Sequence, residues 1–178
     1  MQTKEKILTV SRGLFNRYGY RNVTMRRIAE EAGISPGNLT YYFPHKTDIV
    51  TALMDRSFGE TYFETPIATL EDLLEQFRRM LVTIETNAFF FLDDELDCKP
   101  NAHNATLRRR LAGGMTTLTE TCVFRADFSR EERETVLQML LMTHMTWVRL
   151  TLRDGQSLSV DDMIGMHRTI LAPYLTGQ

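Results

Sequence analysis

Cysteine is scarce in this sequence. Its 178 residues hold two, Cys98 and Cys122, with no CxxC pair and no histidine at zinc spacing. That excludes a disulfide-stapled scaffold and the common cysteine-based zinc modules, and reduced, structural thiols are expected. Long apolar runs are missing as well, and Met1 is not followed by the charged start and apolar core of a signal peptide. A soluble, cytoplasmic chain with no membrane partner is therefore expected. No phosphate loop, metal set or nucleophile beside a base occurs at diagnostic spacing, and His103, His144 and His167 are scattered. The expectation is a non-enzyme without cofactor or metal. Internal repeats, low-complexity stretches and convincing strands are also lacking. So is an overall basic charge: the formal net charge is -2.

Hydrophobic residues, at 43%, are ample for a buried core. Charge is unevenly spread. Residues 1–56 carry nine Lys/Arg and five Asp/Glu, a net +4, which leaves -6 on the rest. A basic front on an acidic body suggests that only the front meets phosphate.

Nearly the whole chain reads as helix. Thr3 can cap a first helix with Ile7, Ser11, Leu14, Phe15 and Tyr18 on one face, and Gly19 ends it. Thr24 caps Met25 to Ala32, which Gly33 closes. Ser35 caps a third helix with Pro36 at its first position, where the missing N–H costs nothing. Pro44 closes that one, and a fourth runs from Lys46 towards Thr65, where Pro66 forbids continuation. Further helices are expected over Leu70–Phe91, Ala102–Phe124 with a possible break at Gly113-Gly114, Ser129–Arg153 and Ser159–Leu175. Ser129 with Glu132 forms a capping box ahead of one; Ser159 with Asp162 caps the other, with Leu158 stapled on Met163.

The informative segment is Thr24–Phe43, TMRRIAEEAGISPGNLTYYF. Two short helices that cross steeply need a small residue where they touch, here Ala29. They also need a turn residue tolerant of positive φ, here Gly33. Ile28, Ala32, Ile34 and Leu39 clamp the pair. The second helix, opened by Ser35, is barely two turns long, and its outward residues Gly37, Asn38, Thr40 and Tyr41 can reach base edges or phosphates. The alternative is an ordinary helical hairpin in a core, against which stands the surplus of polar and aromatic groups on so short a helix.

Residues 3–55 closely resemble the TetR family of bacterial transcription regulators. The matching residues are Ile7, Leu14-Phe15, Gly19, Thr24, Ile28-Ala29, Ala32-Gly33-Ile34-Ser35, Gly37, Leu39, Tyr41-Tyr42-Phe43 and Lys46. Gly13 and His45 depart from the pattern, the latter where a serine cap is commoner. The resemblance implies an all-α protein. An N-terminal three-helix DNA-binding domain with the helix-turn-helix, residues 1–46, precedes a larger helical ligand-binding and dimerisation domain, residues 47–178. It further implies a repressor that binds a palindromic double-stranded DNA operator as a homodimer and is released by a small-molecule effector.

Carried over by that resemblance, Thr24, Tyr42 and Lys46 are expected at phosphates, and Asn38 and Thr40 at bases. Arg26, Ser35, Gly37 and Tyr41 complete the expected DNA-binding set. The dimer is expected through the last two helices, with Val136, Leu137, Leu140, Leu141, Val148 and Leu152 on one and Met163, Ile164, Ile170 and Leu171 on the other. For the effector, Phe89, Phe90, Phe91, Met142, His144 and Trp147 are candidate pocket residues. The alternatives are a buried helix end before a solvated acidic loop for the phenylalanines, and core or dimer interface for the Met-rich helix. A ligand-independent architectural DNA-binding protein is the competing function, followed by an enzyme with no recognisable motif.

Overall fold

The computed structural model describes residues 3–58, 67–93, 96, 124–153 and 158–175. Its elements are α1 (Thr3–Tyr18), α2 (Met25–Ala32), α3 (Pro36–Tyr42), α4 (Lys46–Phe58), α5 (Leu70–Thr86), α6 (Ala88–Leu92), α7 (Arg130–Arg153) and α8 (Val160–Leu171). A 3-10 turn over Ala172–Tyr174 follows, and an isolated antiparallel bridge joins Phe124 to Leu175. The protein is all-α. The expected break at Gly113-Gly114 lies outside the described residues, as do all but the last residue of the helix expected over Ala102–Phe124. That last residue, Phe124, sits in the bridge instead of a helix. Among the described residues no helix is long and apolar enough to cross a membrane.

The chain divides into two units. One contains α1–α4 and α6; the other contains α5, α7, α8 and the C-terminal turn. α4 therefore groups with α1–α3, whereas the sequence places a domain boundary at its first residue. Its inward face, Ile49, Val50, Leu53 and Met54, is buried.

In the first unit, local chemistry sets each boundary. Gly19 stops α1 at φ +78°, and its N–H reaches the Phe15 carbonyl at 2.9 Å. Thr24 caps α2 by accepting the Arg27 N–H. Gly33 then turns the chain at φ +63°, with Gly33 N–H to Glu30 and Ile34 N–H to Ala29 forming a Schellman pair. Ile7, Phe15, Ile28, Ala29, Ala32 and Leu39 form the core, and Ala29 is fully buried where smallness was required. Tyr20 and Val23, in the link between α1 and α2, are buried too.

The expected single helix Leu70–Phe91 is two. Asn87 breaks it at φ −115°, ψ 35°. Within the first unit the break is held by side chains: Asn16 Oδ1 accepts the Phe89 N–H at 3.0 Å, and Ser57 donates to Asn87 Oδ1 at 3.3 Å. A carboxamide on α1 takes the place of the helical carbonyl that would have continued the run.

In the second unit α5 presents Leu73, Leu74, Phe77, Met80, Leu81 and Ile84 inward, and α7 and α8 pack on it. Capping boxes open both helices. Ser129 N–H reaches Glu132 while Glu132 N–H returns to Ser129, and Ser159 with Asp162 does the same. α8 ends at Leu171, four residues short of expectation, because Pro173 supplies no N–H to extend it. Leu158 is exposed although Met163 is buried, so its side chain is not sequestered as a staple would be.

Candidate nucleic-acid interface

α3 is seven residues long and buries one side chain, Leu39. Every other residue of the helix is exposed. Ser35 opens it by accepting the Asn38 N–H at 3.2 Å, with Pro36 at the first helical position. A helix this short is not stable alone. It is held by Leu39 in the core and by Phe43, buried just beyond its end. What remains outside is a small polar and aromatic face with little structural use.

Its residues differ in what they have free. Asn38 is exposed, and its carboxamide makes no hydrogen bond within the described residues. The Thr40 hydroxyl donates to the Pro36 carbonyl at 2.9 Å. Its donor is thereby engaged, while its methyl and an acceptor lone pair remain. Tyr41 is 82% exposed and stands edge-on to Tyr42 at 5.3 Å. At Gly37 a Cβ would meet nothing within 4 Å, so neither space nor a positive φ in the folded chain requires glycine there.

Thr24 is exposed at the α2 N-terminus, where unpaired backbone N–H groups favour an anion. Arg26 pairs with Glu30 at 2.9 Å in an exposed i,i+4 ion pair. Arg27, which the sequence reading did not single out, lies with its guanidinium 3.8 Å from the Tyr18 ring centre. That fixes a cation one turn from Thr24; the adjacent Arg26-Arg27 charges were the available signal.

Lys46 is placed differently from the expectation of an outward phosphate ligand. Its ammonium donates to the carbonyls of Tyr20 (2.7 Å) and Val23 (2.9 Å) and lies 4.0 Å from the centre of the Tyr20 ring. The lysine clamps the turn between α1 and α2, which explains a cation at a helix start where the dipole disfavours it. The His45 cap is reinforced as well: Asp48 accepts the His45 N–H at 2.8 Å, half of a capping box.

The candidate effector residues are divided between the two units. Phe89, Phe90 and Phe91 are buried, and Phe89 packs on Phe15 at 5.2 Å inside the first unit. His144 and Trp147 are buried in the second, where the Trp147 N–H donates to the Leu158 carbonyl at 2.7 Å. Met142, 70% exposed, lies on the opposite side of α7 from them.

The expected dimer face is similarly redistributed. Leu137, Leu140, Met163, Ile164 and Leu171 are buried in the chain's own core; Val136 and Leu141 are half-buried, and only Ile170 is exposed. The side chains of Val148 and Leu152 lie outside the described residues. The apolar groups facing outward are Met139, Met142 and Leu150 on α7 and Met166 and Ile170 on α8.

Residues 7–53 match the family model described as bacterial regulatory proteins, tetR family. The HTH-type transcriptional repressor KstR of Rhodococcus jostii is 26% identical over 133 residues, covering 67% of this chain and 63% of that protein. The HTH-type transcriptional regulator RutR of Escherichia coli is 37% identical over 51 residues, 29% of this chain and 24% of its own. The matches thus span less than two thirds of these relatives' lengths. Among solved structures, a TetR-family transcriptional regulator from Marinobacter aquaeolei superposes with TM-score 0.77 at 26% identity, covering 99% of this chain and 92% of that one. The ketosteroid transcriptional regulator KstR2 of Mycobacterium tuberculosis has the same fold, with TM-score 0.68 at 19% identity over 99% and 96% of the two chains.

Proposed function

Because the chain belongs to the TetR family of bacterial regulatory proteins, we propose that it is a DNA-binding transcription regulator, a repressor acting as a homodimer on a pseudo-palindromic operator. The observation that carries the reading is α3: seven residues, one buried, the rest displayed on a helix that contributes little else to the core. In this reading α3 enters the major groove. Asn38 pairs with a base edge, adenine being its best bidentate partner, and the Thr40 methyl meets a thymine methyl. Gly37 allows close approach, and Ser35, Tyr41 and Tyr42 contact the backbone. Thr24 and the α2 N-terminus take a phosphate, with Arg26 and Arg27 adding positive charge nearby.

One such helix reads few base pairs, so two symmetric copies about one helical turn apart (~34 Å) are needed for useful discrimination. The outward apolar side chains of α7 and α8 support a dimer through those helices, since a second copy would remove them from water. Family membership further supports a small-molecule effector that binds the body and weakens DNA affinity. Gel-shift titration of the full chain against genomic and random duplexes at physiological salt tests the reading. A preferred pseudo-palindromic site bound by two protomers is expected; equal affinity for all sequences overturns it.

A further inference from the structure

The second unit buries two imidazoles that neither DNA contact nor dimer formation uses. His144 on α7 and His167 on α8 are 0% and 1% exposed, and their Nε2 atoms lie 3.1 Å apart. Phe77 of α5 packs against both rings, at 5.4 and 5.1 Å. Each Nδ1 is buried and has no hydrogen-bond partner among the described residues.

Proton accounting constrains this pair. A single proton links the two Nε2 atoms, so the ring that donates it is the Nε2–H tautomer and its Nδ1 is a bare acceptor. The other ring accepts at Nε2 and must carry its proton on Nδ1. Among the described residues the pair therefore leaves one donor and one acceptor unsatisfied, whichever ring holds which. Buried polar atoms are almost always paired, and an apolar pair would fill this site beside Phe77 without any orphan.

We infer that the His144–His167 pair is the polar anchor of an effector site, built for a neutral molecule that offers one hydrogen-bond acceptor and one donor, as an amide or a hydroxyketone does. The inference rests on the proposed effector response and names the ligand chemistry for it. Burial holds both rings uncharged, His144 down to about 3 with His167 adding to the depression and His167 down to about 4. A carboxylate finds no cation in such a pair, and a cationic ligand leaves the Nδ1–H donor unmatched.

The test uses the full-length protein with histidine side-chain nitrogens observed by NMR. The free protein should show one Nδ1–H and one Nε2–H tautomer at neutral pH. Acetamide, small enough to stand for the polar group of a larger effector, should shift both Nδ1 resonances saturably; acetate and acetamidinium should not. His144→Phe with His167→Phe, checked by circular dichroism and melting, should weaken acetamide binding by about ten-fold or more. Two histidines in the same tautomer, a charged isostere that binds equally well, or internal waters held at both Nδ1 atoms and unmoved by acetamide each overturn the inference. Failure of the underlying reading looks different. If acetamide shifts the pair and no compound alters operator affinity, the anchor stands and induction falls. If an extract compound releases DNA without touching either histidine, induction stands and the anchor falls.

Discussion

The two units differ in the apolar side chains they leave to water. In the first, the large hydrophobic side chains left exposed among the described residues are Tyr41 and Tyr42, both on α3. In the second, Val82, Met139, Met142, Leu150, Leu158, Met166 and Ile170 face outward; polar side chains are buried in both, Ser11 and Asn87 in the first and Gln76, His144 and His167 in the second. The front gathers its exposed large aromatics on one short helix. The body has apolar surface that a partner would cover and polar groups that a ligand would satisfy. This is the division of labour expected when DNA contact is made by a rigid surface, and when assembly and sensing are completed by what binds.

The largest effect should come from titrating the buried pair. Both histidines have folded pKa values below the unfolded 6.5, so the unfolded chain takes up protons first as pH falls. Their contribution is full above pH 6.5 and is lost as pH drops towards about 4. A loss of a few kcal/mol is expected between pH 6.5 and 5, before most carboxylates add theirs. Urea unfolding across that range measures it, and His144→Phe with His167→Phe should flatten the profile. An unchanged slope in the variant would mean that the polar interior does not set the body's stability.

The outward apolar face gives the next test. Met142→Asp with Met166→Asp should dissociate the proposed dimer in sedimentation while leaving helicity intact. Operator affinity should then fall by ~100-fold or more as two linked half-site contacts become independent. An intact dimer would move the interface elsewhere and remove the contrast between the units.

How much of each unit the sequence disclosed follows from the same contrast. The front is punctuated by residues whose meaning is local: Thr24 and Ser35 as caps, Gly19 and Gly33 at positive φ, Pro36 at a first helical position. Each acts within a few residues, so spacing alone located α1 to α3. The body depends on which apolar stripe of a long helix turns inward. α7 carries Leu137, Leu140, His144 and Trp147 on one side and Met139 and Met142 on another, both at helical spacing. Periodicity cannot rank two such stripes, and the sequence alone assigns to the interface the stripe that holds the buried Leu137 and Leu140. The break at Asn87 was hidden for a related reason: the groups that hold it, Asn16 and Ser57, are distant in sequence. Lys46 was legible as an unusual residue, yet its partners Tyr20 and Val23 became visible only in three dimensions.

Lys46 and Asn38 sharpen the comparison from inside the front. Lys46→Ala leaves the Tyr20 and Val23 carbonyls without their ammonium, and should cost the protein about 1–3 kcal/mol in denaturant unfolding. The salt slope of DNA binding should stay nearly unchanged; a slope shallower by about 1 would return Lys46 to a phosphate. Asn38→Ala should do the reverse, leaving unfolding untouched and costing about 1–3 kcal/mol of binding with relaxed preference at one base pair. Comparable unfolding losses for both would erase the distinction between scaffold and tool.

Gly37 should give the smallest effect and the one with opposite signs on folding and binding. It sits inside a helix, exposed, where a Cβ would meet nothing within 4 Å. Glycine in such a place costs roughly 0.5–1 kcal/mol against alanine because the unfolded chain is freer. Nothing among the described residues offsets that cost, so the compensation is sought in what approaches α3 from outside. Gly37→Ala should therefore raise the unfolding free energy by that amount while lowering operator affinity several-fold, with helicity unchanged or slightly higher. Thermal melts and gel shifts on the same preparation read both signs. If the added methyl stabilises the protein and DNA binding does not weaken, the DNA does not approach α3 closely at this residue, and the reading face has to be redrawn around Asn38 and Tyr41.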